Sequence, residues 1–67
     1  MATVKEALGL AIDKRDAATA GRIADHLREH GYTYARVFAC AQSARPNLTA
    51  GDWEDLMQEA EDLEAMS

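Results

Sequence analysis

Cysteine, proline and aromatic side chains are nearly missing from this chain, and no basic residue follows Arg45. The single Cys, Cys40, excludes an intramolecular disulfide and fits a reducing compartment. The single Pro, Pro46, leaves long stretches on either side without the residue that helix interiors accommodate worst. One Phe, one Trp and two Tyr are the whole aromatic supply. Ala accounts for 14 of the 32 apolar residues, so large side chains are scarce. A core and an enzyme cleft would compete for them, and no catalytic activity is expected. No apolar run approaches the roughly 18 residues of a membrane span, and no signal-peptide pattern opens the chain. A cytoplasmic location follows as an expectation. Period-two alternation of apolar residues is also absent, which argues against a sheet.

What remains is enough for one small fold. The 67 residues allow a single domain, and 48% hydrophobic content is too high for a disordered acidic tail. The spacing predicts an all-α bundle of four short helices. Thr3 precedes a stripe of Val4, Ala7, Leu8, Ala11 and Ile12, and Glu6 completes a capping-box pair with it. That helix should fade near Lys14. Asp16 opens a second, with Ala20, Ile23, Ala24 and Leu27 inward, and Gly31 stops it by taking a left-handed conformation.

Thr33 opens a third helix containing Tyr34, Val37, Phe38 and Ala41. Ala35, Ala39, Cys40 and Ala44 widen its apolar face, which predicts a central helix buried nearly all round. Pro46 ends it. Thr49 then caps a fourth helix, with Leu48 and Trp53 as a hydrophobic staple, running through Leu56, Met57, Ala60 and Leu63 to Met66. Gly9 and Gly21 fall inside predicted helices and point to close approach between the first two.

Charge is divided along the chain. Residues 1–45 hold all seven basic residues against five acids, a net +2. Residues 46–67 hold seven acids and no base, a net −7, and the two sum to the overall −5. Asp52, Asp55, Glu59 and Asp62 are spaced three, four and three apart, which lines them along one helix ridge. Acids early in a helix are favoured by its dipole, whereas Glu59, Glu61, Asp62 and Glu64 crowd toward the disfavoured end. The ridge reads either as a solvated face pairing with the chain's own Arg residues or as a recognition surface for a basic protein. A row of carboxylates can also imitate a nucleic-acid backbone. The partner would then be a nucleic-acid-binding protein under inhibition, a strategy for which many small phage-borne inhibitors are acidic.

Motifs of chemistry are sparse. His26-Leu27-Arg28-Glu29-His30 resembles the H-x-x-E-H motif of the inverzincin metallopeptidases over five residues. That family needs a further acidic ligand and a cleft beyond the reach of this chain, so no metal, cofactor or catalytic residue is assigned. Cys40 lies among small apolar residues, as a buried structural thiol would. Helix two, Gly31-Tyr32-Thr33 and helix three have helix-turn-helix lengths, with Arg36, Gln42 and Arg45 as nucleic-acid contacts in that alternative. The net charge opposes it. Tyr32, Tyr34 and Trp53 read as inter-helix core or as a partner patch. The thin apolar supply also allows a homodimer, with Met57, Leu63 and Met66 at its interface, or a structural subunit in which the ridge serves only solubility.

Overall fold

The computed structural model describes residues 3–66. They form α1 (Val4–Asp13), α2 (Ala17–Glu29), α3 (Tyr34–Ala44) and α4 (Ala50–Met66), with no strand among the described residues.

Local chemistry accounts for the helix ends. Thr3 Oγ1 accepts the Glu6 N–H at 3.1 Å, and Thr33 Oγ1 accepts that of Arg36 at 3.2 Å. Asp16 takes both the N–H and the hydroxyl of Thr19, at 3.2 and 2.6 Å. Thr49 Oγ1 accepts the Asp52 N–H at 3.1 Å. Each oxygen satisfies a donor that the first helical turn leaves unpaired. Gly31 closes α2 with φ +95°, and the Tyr32 N–H returns to the Leu27 carbonyl. Between α1 and α2 the left-handed position falls on Arg15, at φ 51°, where the sequence offers no glycine. Arg45, pushed to an extended ψ of 89° by Pro46, ends α3.

Packing departs from expectation in three places. The hub is α2, which packs against α1, α3 and α4, while α3 is not buried all round. Val37 and Ala41 face the core, Phe38 and Cys40 are half-buried, and Tyr34, Ala35 and Ala39 are exposed. Ala tolerates either environment, so an Ala-rich face did not mark a central helix. The two mid-helix glycines do mark close approaches, but not between α1 and α2. Gly9 lies under the Arg45 guanidinium and Ala44 of α3, and Gly21 lies against Ala60 of α4. Val4, expected inward, is exposed at the first turn of α1.

The core comprises Leu8, Leu27, Val37, Leu48, Trp53 and Leu56 with five alanines. Leu48 and Trp53 are buried on either side of Thr49, as a staple requires, and Phe38 stands 6.5 Å from the indole between ring centroids. Asp13 and Arg45, 32 residues apart, tie α1 to the end of α3 through a two-pronged ion pair with Nε to Oδ1 at 2.6 Å.

Candidate partner-binding surface

The fourth helix has two unlike sides. Trp53 and Leu56 are buried against α2 and the rest of the core, with Met57 and Ala60 half-buried beside them. Asp52, Asp55, Glu59 and Asp62 are all exposed, at positions that a turn of roughly 3.6 residues places on a different side from this apolar stripe. From Glu61 to Met66 every residue is exposed, so the end of α4 stands clear of the core.

Among the described residues, no Lys or Arg forms an ion pair with Asp52, Asp55, Glu59 or Asp62. The one ion pair there joins Arg45 to Asp13. That pair holds the Asp13 carboxyl below the ordinary carboxylate range, chiefly through the side-chain hydrogen bond from Arg45. The ridge's polar contacts are lighter. Gln58 Nε2 donates to Asp62 Oδ1 at 3.2 Å, and Asp52 borders a hollow of about 280 Å³ shared with Asp13 and Arg45.

A groove of about 350 Å³ follows the seam between α2 and α4. Arg22 and Arg28 stand on its α2 wall, Glu61 and Glu64 on its α4 wall, and Tyr34 of α3 borders it. None of the four ridge carboxylates lines it. Partial burial raises the Tyr34 phenol above its ordinary value; Glu54 adds to the rise, Arg28 opposes it and Glu61 adds again. The apolar residues expected at an interface are divided by this groove. Met57 and Leu63 line it, whereas Met66 lies outside it, 81% exposed.

The alternative set is not gathered into one reading face. Arg36 is exposed and stacks its guanidinium 5.0 Å over the Tyr32 ring. Gln42 donates to the Leu48 carbonyl at 3.1 Å and holds the loop before α4. Arg45 is engaged with Asp13 and with its neighbour's Ala44 carbonyl. Sequence spacing missed the Asp13–Arg45 tie, because no local pattern connects residues so far apart. Tyr32 and Tyr34 are exposed and only Trp53 is core. Cys40 is half-buried and carries a free thiol.

Comparison with protein-family models, with curated proteins and with solved structures gives no match.

Proposed function

We propose that this protein is a non-catalytic binding module whose α4 ridge docks a basic partner protein. Inhibition of a nucleic-acid-binding protein is the most specific form of that reading, since the row of carboxylates would occupy the surface that otherwise meets phosphates. One observation supports it above the rest: four carboxylates share an exposed ridge, and among the described residues no cation of this chain pairs with them. Contact ion pairing with the chain's own Arg side chains therefore does not account for these four carboxylates among the described residues. Complementary charge of this kind accelerates encounter and selects partners more than it adds raw affinity.

The test is affinity capture from nuclease-treated lysate of the source cell, with circular dichroism confirming that every variant is helical. Wild type should retain a basic protein that the D52N/D55N/E59Q/D62N variant loses. A charge-removal control away from the ridge, E54Q/E61Q/E64Q, should retain it. Capture should also weaken steeply as the Debye length shrinks from about 10 Å at 0.1 M salt toward about 3 Å at 1 M. Equal capture by wild type and the ridge variant would sink the proposal.

A further inference from the structure

His26 and His30 lie outside the α4 ridge, the first on the last turn of α2 and the second as its C-cap, and both are exposed. We propose that they form a two-imidazole chelating site for a divalent transition metal of the copper, nickel and zinc group. Residues four apart on a helix project from one face, and here the two rings meet edge to face with centroids 4.5 Å apart. That separation fits the chemistry. An imidazole nitrogen about 2.0–2.1 Å from a metal places its ring centroid about 3.2 Å away, so two rings at roughly 90–110° lie about 4.5–5.2 Å apart. The observed value meets the lower end of this range, so modest rotation of the exposed side chains lets both rings reach one metal.

The backbone under the pair is already set. The N–H groups of His30 and Tyr32 both return to the Leu27 carbonyl, and that of Gly31 returns to the Arg28 carbonyl, so the final turn is closed before any metal arrives. The site also sits at the negative end of the α2 dipole, where a cation is favoured. Among the described residues no group of three or more His, Cys, Asp or Glu surrounds a metal position, so two imidazoles are the whole donor set. Such a site leaves the other coordination positions to water or to a donor from a second molecule. That is the arrangement of a docking or bridging metal, not of the closed four-ligand cage of a structural zinc. An unfolded chain does not hold the two rings at this spacing, so binding favours the folded state. Metal at ten times its Kd raises the folding equilibrium constant about eleven-fold.

Ni2+ is the probe, because Cu2+ would oxidise the Cys40 thiol. Calorimetric titration of the full chain with NiCl2, alongside NMR of the ring protons, should give one site per chain with broadening of both His26 and His30. H26Q and H30Q should each weaken binding at least tenfold, and C40S should leave it unchanged. The R28H/H30Q variant keeps two imidazoles but sets them two residues apart, on opposed sides of the helix, and should bind as weakly as the single variants. All positions altered on α2 are exposed, and circular dichroism checks that each variant is folded. Undiminished Ni2+ binding by H26Q/H30Q would overturn the proposal and assign the metal to carboxylates or the thiol. Full affinity in R28H/H30Q would overturn it equally, since the i, i+4 geometry would then be irrelevant.

Discussion

Gly21 carries a cost of about 1 kcal/mol against Ala in a helix interior, and the reason for it lies across the seam. A Cβ at that position would stand 2.7 Å from the Ala60 Cβ, and neither methyl has a flexible end that could yield. At Gly9 the nearest atom to such a Cβ would be Arg45 Nη1 at 2.9 Å, the far end of a long side chain that can shift at some cost to its bonds with Ala44 and Asp13, and Ala44 Cβ follows at 3.3 Å. The two glycines should therefore answer differently to the same change. Overpacking of about 1–3 kcal/mol at Gly21→Ala should exceed the propensity gain of about 1 kcal/mol, giving a net loss in urea unfolding. Gly9→Ala should lose less, and Ala60→Gly should recover part of the Gly21→Ala deficit. A Gly9→Ala loss equal to that of Gly21→Ala would show that the seam is not the tighter contact. Sequence spacing marked both positions as close approaches but could not say which helix stood opposite.

Among the elements, α4 depends most on a single side chain. Trp53 is 1% exposed and meets Phe38 and the α2 face, while the helix beyond Ala60 adds no buried residue. Trp53→Ala should cost about 3–5 kcal/mol, a large share of what a domain of this size possesses. Its indole Nε1 is buried without a hydrogen-bond partner among the described residues. Trp53→Phe thus forfeits ring volume and no hydrogen bond, and chemical denaturation should place it much nearer wild type than Trp53→Ala. A Phe variant as unstable as the Ala variant would point to a bond made by the indole N–H. All four helix starts were readable in advance, because a cap is settled by an oxygen and an amide three residues apart. The environment of α3 was not. Its Ala35 and Ala39 are as compatible with water as with a core, and only the placement of α1 and α2 decides between them.

On the scale of the molecule, no cation of residues 1–45 forms an ion pair with Asp52, Asp55, Glu59 or Asp62 among the described residues. The ion pair among the described residues lies within the first segment, at Asp13 and Arg45, and the carboxylates of α4 face solvent. Their mutual repulsion is about 0.2–0.5 kcal/mol per neighbouring pair. The three successive pairs along the ridge come to about 1 kcal/mol, which corresponds to a melting shift of about 4–8 °C for a small domain. Added sodium chloride should accordingly raise the thermal midpoint, and the D52N/D55N/E59Q/D62N variant should start higher at low salt and respond less. A midpoint that falls with salt in wild type would mean that attraction, led by Asp13 and Arg45, outweighs repulsion. Like charge along this ridge, relieved only in part by the helix dipole at its start and by the Gln58 amide at Asp62, costs some stability. That is the thermodynamic form of the proposed recognition surface.

Helix number, the caps, the glycine stop at Gly31, the staple of Leu48 and Trp53 and the acidic ridge all followed from residues within about four positions of one another. Those features rest on hydrogen bonds and spacings that a single turn contains, and no tertiary contact is needed to establish them. The choice of α2 as hub, the partners of Gly9 and Gly21, the Asp13–Arg45 tie, the groove beside Tyr34 and the ring separation of His26 and His30 were decided only when the helices packed. With large side chains scarce and Ala abundant, the apolar pattern by itself does not rank one helix arrangement above another. What distinguishes the observed arrangement is the fit of particular pairs, such as Gly21 on Ala60, which no one-dimensional pattern records.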